Sequence, residues 1–369
     1  MFKRLAIVML MMVFIIPAHA QDDELETVDF FLTYIPNIQF SPLYVAQELY
    51  MEDAGYTLAL QYGEENIGVD LIATGEIPFG TISGEQVLLA RAGGRPVVYV
   101  YEWFQKFPVG IVVPDTVEFD LESVKVGVAG RFGASYTGFI ALIDAFDLRE
   151  RDIDLEPIGF AAPDVLCTGG VDVAVVYVNN EPLQIQQRAD TGECGDITSL
   201  EVIYVSDYAD MVSNGIVTNE DLIASDPELV QDIVSIYDAA LQRVINNPAE
   251  AYLISLGYID TLTITDELYA ALESAAIAQD EFLATEPDRD AIAQSRMELL
   301  AALQAEFDTE TLLQFHVLLN TIDLWDAEQL GYTDAASWET TLNILDEMER
   351  LTGDVGDLAD AYSNDFLPE

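Results

Sequence analysis

Short apolar runs bounded by glycine and polar clusters occupy the first part of the chain, and a helical spacing of apolar residues takes over after about residue 218. Runs of the first kind read as strands of a covered sheet, and apolar residues three and four apart read as helices. The pattern predicts strands at 29–35, 57–62, 79–82 and 97–101, with helices at 42–54, 68–74 and 84–92 between them. Glycines at 55, 63, 75 and 94 stand where this βαβαβαβ series must turn. A strand at 109–113 is closed by Pro114, and the pattern restarts. Strands at 125–129, 154–159, 171–177 and 202–205 then alternate with helices at 134–146, 163–167 and 182–189. A short strand at 214–218 leads into amphipathic helices, two of them opened by Asp226-Pro227 and Asn247-Pro248. No repeat of solenoid period and no low-complexity segment interrupts the chain.

Two α/β series joined by a double crossover imply an α/β fold of two lobes with hinge strands and a helical C-terminal extension. The tail has no sheet of its own and packs most simply on the first series. Residues 21–112 and 215–369 would form the first lobe and 113–214 the second, with strands at 111–113 and 216–217 as the hinge.

Candidate chemistry concentrates in residues 124–181. An apolar strand enters the glycine-broken loop GRFGAS, which opens a helix, and a second strand ends in YVNNEP. At the carboxyl ends of neighbouring parallel strands such loops converge on a crevice. Arg131, Phe132, Gly133, Ser135 and Tyr136 would lie at a helix N-terminus with free N–H groups, faced by Tyr177, Asn179 and Asn180. An aromatic ring among amides and one cation suits a flat, hydrogen-bonding ligand. Gly130 and Gly133 read equally well as the geometry of a tight turn, with Tyr136 packed on the sheet.

The ends and the charge set the compartment. MFKRLAIVMLMMVFIIPAHA carries two basic residues, an apolar run short for a bilayer, and Ala-His-Ala before an acidic stretch. This is the pattern of a secretory leader over 1–20, so the mature chain is expected to start at Gln21 outside the cytoplasmic membrane with no membrane insertion, an uncleaved anchor helix being the rival reading. With 66 acidic residues against 14 basic ones, the surface repels nucleic acid. The acids are scattered along helices rather than gathered in a calcium-loop pattern. In an oxidising compartment Cys167 and Cys194 are a plausible disulfide. Two thiols and one mature histidine, His316, give no metal site and no cofactor is expected.

The residues also carry a family resemblance. YIPNIQFSPLYVAQELYMEDAGYTLAL, with Tyr34, Pro36, Asn37, Tyr44 and Ala46, resembles the opening of the thiamine-pyrimidine-synthase-like solute-binding proteins of ABC importers. The likeness continues through LIATGEIPFGTISGEQVLLARAGGRPV, EWFQKFPVGIVVP, GRFGAS, GGVDVAVVYVNNEP and SNGIVTNEDLI, and spans roughly residues 28 to 350. It implies the type II periplasmic binding protein fold and a permease as partner. GRFGAS together with VYVNNEP looks most like the riboflavin branch. The alternatives are a thiamine pyrimidine precursor of the formylaminopyrimidine kind, or a small anion such as a sulfonate, for which Arg131 and Lys106 are available.

An isoalloxazine ring needs stacking aromatics and amide or hydroxyl partners at its edges. Candidates in the first lobe are Tyr34, Asn37, Phe40, Tyr44, Ser83, Glu85, Trp103 and Gln105, with Arg131, Phe132, Ser135, Tyr136, Tyr177, Asn179 and Asn180 facing them. Phe40 and Tyr44, four apart, equally fit the core face of their helix; Trp103 fits a packed interdomain residue and Asn37 a helix cap. Glu85 and Glu181 read either as acceptors for an imide or ribityl chain or as solvated acids. Relatives that make the thiamine pyrimidine use histidine and iron, and the mature chain offers only His316. With no GxSxG, HExxH, Walker loop or CxxC present, the chain is not expected to be an enzyme.

Overall fold

The computed structural model describes residues 25–131 and 133–368, so the expected leader and Phe132 lie outside the described residues. The first series builds β1 (Glu26–Thr33), α1 (Ser41–Ala46), β2 (Tyr56–Gly63), α2 (Glu65–Ala73), β3 (Phe79–Ser83), α3 (Gly84–Ala92) and β4 (Val97–Glu102). The second comprises β5 (Val109–Pro114), β6 (Lys125–Val128), α4 (Gly133–Ala145), β7 (Asp154–Pro157), α5 (Ala162–Cys167), β8 (Val173–Tyr177), α6 (Glu181–Asp190) and β9 (Leu200–Tyr204). The chain then returns through β10 (Asn214–Asn219) into α7 (Glu220–Ser225), α8 (Pro227–Asn246), α9 (Pro248–Ser255), α10 (Asp266–Leu283), α11 (Arg289–Gln304), α12 (Thr309–Trp325) and α13 (Ala335–Glu347).

These strands form two five-stranded mixed sheets, β2-β1-β3-β10-β4 and β7-β6-β8-β5-β9. In the first, β1 runs parallel to β2 and β3, and β10 lies antiparallel between β3 and β4. In the second, β6 runs parallel to β7 and β8, while β5 is antiparallel to β8 and β9. β3, inside the sheet, and β4, at its edge, are both buried along their whole length, β4 because the tail covers its outer side. β5 and β10 are therefore ordinary ladder members, and the chain crosses between sheets at 103–108 and 205–213, just outside the strands expected to act as hinge. Gly84 lets the returning segment close on α3, because a Cβ there would stand 2.5 Å from Val212 Cγ1.

The tail helices owe their starts to acidic and polar caps. Asp226, Asn247, Thr265, Asp288 and Asp308 each accept an N–H three residues on. On α8 the buried Val230, Ile233, Val234, Tyr237, Leu241 and Val244 follow the helical period and pack on one face of the first sheet.

Two expectations need correction. The helix expected over 42–54 is regular only to Ala46; a wider π-type turn follows across Gln47–Met51, and the Gln47 side chain accepts the Leu58 N–H of β2 at 2.6 Å. The tail also does not rest on the first series alone. It bridges the edge of β4 at Tyr99–Tyr362 and Glu102–Gly331, and Ile344 and Met348 join the core of the second sheet.

Candidate functional site

The carboxyl ends of β1, β3 and β8 carry the polar and aromatic groups that meet between the sheets. At the end of β1 the Thr33 N–H donates to Thr81 Oγ1 at 3.2 Å. Tyr34 follows at a φ of 124°, a backbone region that disfavours side chains and persists only when its surroundings hold it. Its ring meets that of Phe160, on the loop after β7, edge to face at 5.9 Å. Phe160 is otherwise 74% exposed, and Ile35 beside Tyr34 is exposed too.

β3 ends in Ser83, whose N–H and hydroxyl both donate to Glu65 Oε1 at 2.7 Å. Two residues on, in the first turn of α3, Glu85 is 0% exposed and neither carboxyl oxygen has a hydrogen-bond partner among the described residues. Burial, and then the charge of Glu65, pushes Glu85 up to about 8. Burial also raises Glu65, against the lowering effect of the two Ser83 hydrogen bonds.

From the second sheet, the Tyr177 N–H at the end of β8 donates to Glu181 Oε2 at 3.1 Å, and burial lifts Glu181 to about 7. The Tyr177 phenol is raised first by burial and then by the charges of Glu65, Glu85 and Glu181, so it stands between acids from both sheets. Tyr34 is raised by burial and by Glu181. Asn180 accepts from Gln184 Nε2 at 2.8 Å, and Asn179 donates to Thr321 Oγ1 of α12 at 2.9 Å. Asn179 Oδ1 is buried and unpartnered among the described residues.

The crevice thus brings together Tyr34, Ser83, Glu85 and Tyr177, with Asn179 and Asn180 on the adjoining loop. Several other expected residues lie elsewhere. Phe40 and Tyr44 are in the core, so their spacing of four is that of a buried helix face. Tyr44 stacks on Tyr258 with ring centres 4.5 Å apart, and its hydroxyl lies 3.2 Å from that of Tyr62. Trp103, 2% exposed, is sandwiched between Phe40 at 5.7 Å and Trp325 at 5.6 Å, a packed position rather than an open wall. Asn37 caps a short turn by accepting the Gln39 N–H at 3.1 Å. Gln105 donates to the Glu102 carbonyl at 2.8 Å, which ties the crossing segment to itself.

Arg131 and Tyr136 form a separate group. Both bind Glu150, the guanidinium at 2.6 Å and the phenol at 2.5 Å, and Arg350 from the tail donates to the Arg131 carbonyl. The cation expected to greet an anion is therefore already paired. Ser135 is half-buried in the first turn of α4.

Glu65 and Phe160 were not foreseen. In a chain with 66 acids one more carries no signal, and Phe160 sits in a loop with no periodicity to place it. Cys167 and Cys194 are joined in a disulfide. Among the described residues no group of three His, Cys, Asp or Glu side chains is placed to hold a metal, and no helix is long and apolar enough to cross a membrane. Surface hollows of about 280 and 460 Å³ lie in the helical tail, around Arg289 and Arg296 and around Phe282 and Leu299.

The fold has clear counterparts. The ligand-binding component of an ABC-type import system from Staphylococcus aureus superposes with a TM-score of 0.60 at 10% identity, covering 92% of this chain and 97% of the other. A putative periplasmic sulfonate-binding protein, SsuA, from Methylobacillus flagellatus gives 0.59 at 14% identity, covering 93% of both. These likenesses establish the two-sheet α/β periplasmic binding protein fold. In sequence, the riboflavin-binding protein RibY of Chloroflexus aurantiacus is 29% identical over 365 residues, 95% of this chain and 89% of that one. A model of the family described as NMT1/THI5 like matches residues 37–251, more than half of the chain. The chain belongs to the NMT1/THI5-like family.

Proposed function

We propose that this protein is the extracytoplasmic solute-binding component of an ABC importer, that it captures riboflavin between two lobes by hinge closure, and that it delivers the vitamin to a membrane permease. The observation that carries the reading is the meeting of Tyr34, Phe160 and Tyr177 with Ser83 and Glu85 at strand ends of opposite sheets. Aromatic faces beside acceptors and donors match a flat heterocycle with a polar edge. The similarity to a protein named for riboflavin binding supports the same ligand.

The lobes would be 21–112 with 215–369, and 113–214, joined by the two crossing segments. Ligand enters while they stand apart, and closure shifts the population toward the form the permease recognises. A binding rather than catalytic role is supported by the similarity to a protein named for riboflavin binding and by the periplasmic binding protein fold. His316, on α12, is lowered by burial and lies on a helix outside the strand-end cluster.

A thiamine pyrimidine precursor is the second reading, favoured by the acids, which suit an amino group. The sulfonate reading loses its main support because Arg131 is engaged by Glu150. A thermal-shift panel of riboflavin, the aminopyrimidine half of thiamine and an alkanesulfonate separates the three. The largest rise in melting temperature should come from riboflavin, and a rise only with one of the others would reject it.

A further inference from the structure

The fully buried Glu85 is the least explained group in the molecule. It lies in the first turn of α3, and the ionisable groups that act on or share its surroundings are Glu65 from α2, Tyr99 from β4, Tyr177 from β8 and, beyond Tyr177, Glu181 from α6. No lysine or arginine is ion-paired with Glu65, Glu85 or Glu181 among the described residues. An ionised carboxylate buried without a partner is strongly disfavoured, and a second carboxylate nearby makes it more so. The two acids are not equivalent. Glu65 accepts two hydrogen bonds from Ser83 on one oxygen, the environment of an ionised acceptor, whereas Glu85 has none. The proton of the pair therefore belongs on Glu85.

A protonated carboxyl presents one O–H donor and one C=O acceptor side by side. The group that satisfies both at once is a neutral lactam or imide edge, a ring carbonyl next to a ring N–H. We infer that a protonated Glu85 reads such an edge as the contacting residue, with Glu65, held by Ser83, as the positioning residue that keeps the proton on its neighbour. The inference rests on the reading of the crevice as the ligand site and adds the class of edge the site selects. A cationic aminopyrimidine demands the opposite state, a carboxylate at Glu85.

The test uses the whole mature chain, riboflavin, and riboflavin methylated on its imide nitrogen, titrated from pH 6 to pH 9. With Glu85 near 8, the protonated fraction falls about tenfold between pH 7 and pH 9, and riboflavin affinity should fall with it. Glu85→Gln cannot ionise and should lose that fall; Glu85→Ala should bind riboflavin more weakly and no longer distinguish it from the methylated form. Affinity that rises with pH, a fall that persists in Glu85→Gln, or equal binding of both flavins by the unaltered protein would overturn the inference. A separate readout covers the case in which riboflavin fails to bind at all. The infrared difference spectrum of ligand-free protein between pH 6 and pH 9 should contain a protonated-carboxyl band that disappears in Glu85→Gln. An unchanged spectrum would reject a protonated Glu85 whatever the ligand.

Discussion

Tyr34 and Phe160 touch edge to face, with ring centres 5.9 Å apart and planes at 73°, although one follows the last residue of β1 and the other the loop after β7 in the opposite sheet. An aromatic pair of this geometry contributes about 0.5–1.5 kcal/mol beyond its buried area. As a contact made across the crevice, it favours the form in which the two sheets stand together. Replacing Phe160 with Ala should leave folding intact, because the ring is largely exposed, while speeding ligand dissociation roughly threefold to tenfold. Stopped-flow release measurements check this; an unchanged rate would remove the pair from closure.

Tyr34 also holds an unfavourable backbone, φ 124°, of the kind that costs about 1–3 kcal/mol. Tyr34→Gly should relieve that strain and offset the stability lost with the ring, while weakening ligand capture. Chemical denaturation and ligand titration of one variant separate the two effects. A variant both less stable by more than about 2 kcal/mol and unimpaired in binding would contradict a functional origin for the strain.

Trp103 makes the reverse prediction. It is enclosed by Phe40, Phe104, Tyr237 and Trp325, so Trp103→Ala should cost about 3–5 kcal/mol of stability through the cavity it leaves. Urea denaturation measures it. A loss of binding with unchanged stability would return Trp103 to the ligand wall.

The contrast between Tyr34 and Trp103 defines how much of the site was legible. The succession of strands and helices, the strand-end loops and the return of the chain through β10 all follow from apolar runs and glycine punctuation, which local sequence encodes; the order of the strands within each sheet does not. Whether an aromatic lines a crevice or fills a core depends on what packs against it from far along the chain. For Trp103 that partner is Trp325, over two hundred residues away on α12. For Arg131 it is Glu150, which turns the expected anion contact into an internal ion pair. Of the acids of the crevice, Glu85 was among the expected contacts, whereas Glu65 was hidden for a different reason: nothing local sets it apart from the solvated majority, and only its hydrogen bonds from Ser83 do.

The buried acids also set a pH dependence. Burial pushes Glu85 and Glu102 to about 8 and Glu181 to about 7, above the ordinary 4.5. Each holds its proton more tightly folded than unfolded, so its stabilisation is complete below about pH 4.5 and is lost as pH rises through 7 to 8. The melting temperature should therefore fall between pH 5 and pH 9. Glu102→Gln, at the crossing segment and away from the crevice, should flatten that slope; a melting temperature that rises over the range would contradict the assignment.

The Cys167–Cys194 bond closes a 27-residue separation within the second-sheet unit. Loop-closure entropy makes it worth about 3–4 kcal/mol. Replacing both cysteines with serine should lower the denaturation midpoint by a corresponding amount, and an unchanged midpoint would exclude a stabilising role.

The most direct measurement is a fluorescence titration of riboflavin with mature protein that has been unfolded, stripped of carried ligand and refolded. Stacking on the crevice aromatics should quench flavin emission saturably at one site per chain, and Tyr177→Ala should weaken that binding at least tenfold. Absence of quenching by demonstrably folded protein would contradict riboflavin capture.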